Sequence, residues 1–122
     1  MKLKYAALLL VLTANLALAA DPPVVAGKWQ VHSVTAGVES DSVCSFSQNK
    51  ADLTGSCKDP NGTNDITGKV DGTKVSWSFK SDYNGTPITV NFDGTLATGK
   101  ITGTVSVKEF SIEGEFTATQ AK

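Results

Sequence analysis

From Lys74 onward the chain alternates apolar and polar residues almost without interruption. Val75, Trp77 and Phe79 alternate with Lys74, Ser76, Ser78 and Lys80, and Ile88, Val90 and Phe92 with Thr89, Asn91 and Asp93. Two further runs follow, with Ile101, Gly103, Val105 and Val107 on one face, then Phe110, Ile112, Gly114 and Phe116. A strict period of two places successive side chains on opposite faces of a strand and marks a sheet buried on one side only. Beyond the first twenty residues no segment carries the 3.6-residue stripe of an amphipathic helix. These patterns predict an all-β chain.

Eight such runs are expected, near 27–34, 41–48, 52–58, 63–70, 73–80, 86–96, 100–107 and 110–120. Short connections make sequence neighbours pair as antiparallel hairpins, and the inward parities agree. With Asp71-Gly72 at one turn, Gly68 is expected opposite Val75 and Ile66 opposite Trp77. With Thr98-Gly99 at another, Leu96 falls opposite Ile101 and Phe92 opposite Val105. An eight-stranded up-and-down meander closes into a barrel and leaves no exposed sheet edge; a two-sheet sandwich is the alternative. Gly55, Gly68, Gly94, Gly103 and Gly114 fall on the inward parity, as tight curvature or small-against-large packing requires. The connections at 35–40, 59–62, 81–85 and 108–109 share one end of such a meander. They are expected to form its longer, polar loops, with Asp41, Asp59, Asn61, Asp82 and Tyr83.

The first twenty residues follow a different rule. A basic "MKLK", an apolar "YAALLLVLTANLALA" and a small-x-small "ALA" at 17–19 are the three parts of a secretory signal peptide, cut after Ala19 or Ala20. The domain reading is therefore a signal at 1–20, an N-terminal arm at 21–26 and a barrel at 27–120, secreted or periplasmic. Nine lysines then face twelve carboxylates, with no arginine anywhere. An acidic, arginine-free chain lacks the usual readers of phosphate and base edges, which argues against nucleic acid and anionic membranes as partners. A monomer is expected.

Cys44 and Cys57 are the only cysteines. Placing Gln48 opposite Leu53 across the "SQNKAD" turn sets the two cysteines directly across from each other and Gly55 opposite Phe46, so a structural disulfide is expected in an oxidising compartment. His32, the single histidine, points outward by parity, and a zinc site needs three or four ligands. Asp59, Asn61 and Asp65 superficially resemble a calcium loop, but the glycine is misplaced and turn chemistry accounts for them. The Asn-Gly-Thr triplets at 61–63 and 84–86 match a glycosylation sequon and equally a tight turn. Glu113 and Glu115 are both turned to solvent by the alternation, whereas acid-base work calls for a carboxyl in an apolar setting. Neither an enzyme nor a cofactor is expected.

"AGKWQV" opens the first strand with Gly27-x-Trp29, and in this the chain resembles lipocalins and avidin-like proteins, the calycin-type barrels. The resemblance implies an up-and-down barrel with Trp29 closing one end. Lipocalins also place an arginine near the last strand, and this chain has none. A second likeness is to small secreted barrels that inhibit bacterial metalloproteases, which pair a Gly-x-Trp with one disulfide. Two binding functions follow as expectations. One is carriage of a small apolar molecule inside the barrel, with Trp29, Trp77, Phe79, Ile88, Phe110 and Tyr83 as candidate contacts. The other is a filled barrel that binds another exported protein, for example as a protease inhibitor, through its end loops or the "DPPVVA" arm.

Overall fold

The computed structural model describes residues 23–121. The expected signal peptide at 1–20 lies outside the described residues. Eight strands run in sequence order: β1 Gly27–Thr35, β2 Val38–Asn49, β3 Asp52–Asp59, β4 Gly62–Asp71, β5 Lys74–Tyr83, β6 Thr86–Ala97, β7 Lys100–Val107 and β8 Ile112–Gln120, with a 3-10 turn at Lys108–Phe110 before the last. Each pairs antiparallel with its neighbours, and β8 returns to β1, closing a barrel. The all-β, up-and-down prediction holds. We call the end carrying Gly27 and Gln120 the base, and the end carrying the β1–β2, β3–β4, β5–β6 and β7–β8 connections the mouth.

Inward parity and burial coincide along the strands. Trp29, Val31, Phe46, Leu53, Ile66, Val70, Val75, Trp77, Phe92, Ile101, Val105, Phe116 and Ala118 form the core. Trp77 lies in its middle, stacked on Phe92 at 5.0 Å between centroids, with Phe46 at 5.0 Å and Phe116 at 5.3 Å. Such offset and edge-on aromatic contacts add to the stabilisation from burial. The inward glycines are close-approach points. A Cβ on Gly68 would lie 2.1 Å from the Ser76 carbonyl oxygen, and one on Gly103 would lie 2.0 Å from that of Asp93. Gly94 and Gly103 sit opposite each other, and the Phe116 ring takes the space a side chain on Gly94 would need.

Two registers match the sequence reading: β2–β3, with Cys44 opposite Cys57 and Phe46 opposite Gly55, and β6–β7, with Leu96 opposite Ile101 and Phe92 opposite Val105. The β4–β5 register is corrected by two residues. Gly72-Thr73 forms the turn, so Gly68 faces Trp77 and Val70 faces Val75. The long polar loops expected at the mouth are also corrected. β2 begins at Val38 and β5 runs to Tyr83, leaving the two-residue turns Ala36-Gly37, Pro60-Asn61 and Asn84-Gly85. Asp41, Asp82 and Tyr83 sit on strands that project past the core, and only 108–111 makes a longer connection.

One ladder is short. β4 and β5 are each ten residues long, yet they pair only from Asp71–Lys74 to Thr67–Ser78. Toward the mouth the two arms of this hairpin part, while β4 stays on β3 and β5 on β6.

Cys44 and Cys57 are joined by a disulfide, and no free cysteine is present among the described residues. In the chain-entropy account, closing a loop of this size stabilises the fold by about 3 kcal/mol. Unfolded, unreduced protein is therefore expected to show no titratable thiol, and reduction should lower the unfolding free energy by about 2–3 kcal/mol in urea. Two reactive thiols in the purified protein would contradict the pairing.

Candidate functional site

The two ends of the barrel are built differently. At the base the N-terminal arm folds back under the core. Val25 is fully buried, its N–H donates to Gln48 Oε1 at 2.6 Å, and its carbonyl accepts from Trp29 Nε1 at 2.9 Å. Gln48 Nε2 donates to the carbonyls of Pro23 at 2.8 Å and Lys50 at 2.9 Å. One glutamine amide and one indole thus pair the polar backbone of an arm whose valine seals the barrel floor, as buried polar groups require. Within the arm, Val25 and the Pro23 carbonyl are engaged by the barrel, while Val24 is 76% exposed. Trp29, a candidate ligand contact, lies behind this seal at 1% exposure.

Trp77, the second candidate, is in the middle of the core. Its indole Nε1 is buried without a hydrogen-bond partner. The other four candidates come together at the mouth. Phe79 pairs with Val90, Val90 with Val107, and Val107 with Ile112, making an apolar row across β5 to β8 that is only half-buried. Ile88 lies beside this row, opposite Ser81. Above it Tyr83 and Phe110 meet edge to face at 5.7 Å and remain 59% and 39% exposed. The 3-10 turn is tied to β6 by the Thr89 N–H, which donates to Glu109 Oε1 at 3.2 Å. Bonds from the backbone N–H groups of Glu109 itself and of Thr89 hold the Glu109 carboxyl below its usual pKa. The facing wall is polar: Ser33, Ser42 and Asn64 occupy the matching inward positions of β1, β2 and β4, also half-buried. The mouth is therefore a cup with one apolar side. The sequence reading anticipated the apolar side and missed the polar one.

His32 projects from the outer face of β1, as its parity predicted. Its partners were not anticipated: Nδ1 lies 2.7 Å from Asp41 Oδ1 and Nε2 lies 3.1 Å from Glu39 Oε1. A neutral imidazole has one N–H, so bonding to both carboxylates requires the imidazolium. The hydrogen bond to Asp41, then the charges of Asp41 and Glu39, raise its pKa against a smaller opposing desolvation. Its stabilising contribution is therefore complete below the unfolded value of about 6.5 and fades as pH rises through the higher folded pKa. An NMR titration should place the His32 midpoint above about 6.5, and Asp41→Asn should remove most of the elevation. An unchanged midpoint in that variant would show that Asp41 is not the cause.

Turn chemistry accounts for the loop that resembled a calcium site: Asp59 Oδ1 accepts the Asn61 N–H at 2.8 Å. The outer face carries a depression of about 590 Å3 over β3 to β6, among Thr54, Thr67, Ser78 and Asn91. The Lys69–Asp52 ion pair, 2.8 Å apart, lines its edge. No family model matches the chain, and no curated protein matches it. The barrel is compatible with a calycin-like fold, and no helix among the described residues is long and apolar enough to cross a membrane.

Proposed function

We propose that the chain is an exported, non-enzymatic binding protein of calycin type that engages another exported protein with the mouth of its barrel. One contrast carries this reading. Trp77 is hemmed in by Phe46, Phe92 and Phe116 in the middle of the barrel, while the Tyr83–Phe110 pair stands exposed at the mouth. Paired aromatics above an apolar floor have the make-up of binding hot spots, and soluble monomers seldom leave such a patch bare without use. The leader-like N-terminus and a disulfide that suits an oxidising compartment support export. Carriage of a small apolar molecule is the second reading. It is favoured by the half-exposed row Phe79–Val90–Val107–Ile112, against which such a molecule would lie.

Two measurements separate these readings. A photo-crosslinking residue at position 110, used in the exported fraction of the source organism, should give one discrete protein adduct that Tyr83→Ser abolishes. A panel of apolar fluorophores should show no saturable uptake. Saturable one-to-one uptake, lost in Ile88→Asp, would replace the partner by a carried ligand. Absence of both adduct and uptake would remove both readings.

A further inference from the structure

The parted arms of β4 and β5 leave two sheet edges open beside the mouth. Had the hairpin register continued, Ile66 would face Phe79, Asp65 would face Lys80, Asn64 would face Ser81 and Thr63 would face Asp82; none of these pairs forms. Which backbone groups face the gap follows from the hairpin turns. Tyr83–Thr86 closes a two-residue turn, so this pair exchanges both its hydrogen bonds, as do Ser81–Ile88 and Phe79–Val90. Lys80 and Asp82 must then direct their N–H and C=O groups away from β6, into the gap. On β4 the same alternation, counted from Asp59–Gly62, turns those of Thr63 and Asp65 toward it. A depression of about 550 Å3 lies there, with Asn64, Phe79 and Ser81 on its inner side and Thr63, Lys80 and Asp82 on its outer side.

We propose that this slit receives an extended peptide segment of the partner protein, added as a strand along the β5 edge. The proposal rests on the reading of the barrel as a protein-binding module. Donors and acceptors repeating at every second residue match an extended main chain, and strand addition is how open edges are commonly used. Val38–Ser42 of β2 and Thr86–Thr89 of β6 also run past a neighbouring strand, but between β4 and β5 two parted edges of one hairpin face each other across a depression. The segment's alternate side chains divide between two environments. Those turned inward meet the Phe79 ring, flanked by Asn64 and Ser81, which suits a residue with an apolar body. Those turned outward lie among Asp65, Asp82, Lys58 and Lys80, and Asp59 on the inner side leaves the rim of the slit net negative, which favours a basic residue.

The probe is the N-acetylated, C-amidated pentapeptide Val-Lys-Val-Lys-Val, titrated into the isotope-labelled mature protein. In the free protein, amide exchange at Lys80 and Asp82 should be fast while Phe79 and Ser81 are protected; equal protection would mean that no slit exists. Saturable shifts are expected at Thr63, Asp65, Lys80 and Asp82, with slowed exchange at Lys80 and Asp82. Lys80→Pro removes a donor that faces the gap and spares the ladder to β6, so binding should fall at least tenfold. As a second variant, Thr63→Cys with Asp82→Cys, on the outer side away from the native disulfide, oxidised until no thiol remains, ties the two edges together and should abolish binding while the spectrum of the rest of the barrel is retained. Undiminished binding in the stapled protein, or no binding at millimolar peptide, would overturn the slit. An adduct at position 110 that persists in the stapled protein would at the same time leave the mouth reading standing.

Discussion

Alanine at position 103 is expected to unfold the barrel, or to destabilise it by more than about 3 kcal/mol, beyond the ordinary range of overpacked cores. The reason is backbone against backbone. The added carbon would lie 2.0 Å from the Asp93 carbonyl oxygen and 2.5 Å from the Gly94 Cα. Neither atom is the end of a side chain that can rotate away, and both belong to the paired strand β6. Relief requires separating β6 from β7 where Phe116 is seated over them. Thr102→Ala, one residue away on the exposed face, provides the control and should change stability by no more than about 0.5 kcal/mol. Urea unfolding of both variants measures the difference. A loss below about 1 kcal/mol at Gly103 would show that the strands are not in contact there.

Truncating Trp77 to alanine should cost about 3–5 kcal/mol, in the range for buried aromatics. Its ring touches three others, so removal strips packing from Phe46, Phe92 and Phe116 together. No hydrogen bond to another described residue is lost, because the indole Nε1 has no partner among them. Trp77→Phe keeps a ring against Phe92 and sheds that unpartnered donor, so it should cost less than about 1.5 kcal/mol. Thermal and urea unfolding of the pair tests this. If the phenylalanine variant lost as much as alanine, the indole N–H would have to contribute an interaction of its own.

What the sequence disclosed followed from physics that is local along the chain. Alternation fixed which face of each strand is inward, and turn residues set most pairings, so Phe46 was placed against Gly55 and Cys44 against Cys57. The β4–β5 register slipped by two because Asp71-Gly72 and Gly72-Thr73 both make plausible turns. A shift of two residues keeps every side chain on its face, so hydrophobic pattern cannot detect it. Serine, aspartate and asparagine near the mouth resembled loops because those residues favour turns, whereas the strands simply continue past the core into solvent. The docking of Val25 left one readable trace: Gln48 stands at an inward position among apolar residues, and such an amide needs a partner. The parting of β4 from β5 left none, since both strands keep the same alternation beyond Thr67 and Ser78 as in the paired part of the hairpin.

The return of β8 to β1 also orders events in time. Seven of the eight ladders join strands adjacent in sequence, and the eighth joins the two ends of the chain. Hairpins of the first kind need only short loops to close and can form as the chain emerges. The last ladder must wait for Ile112–Gln120, the eighth strand of the barrel, and until then Trp29 and Val31 have no partner on one side. A chain lengthening from its N-terminus therefore remains an open, sticky sheet until Ile112–Gln120 has emerged, and a stop codon ahead of Ile112 would leave it in that state permanently.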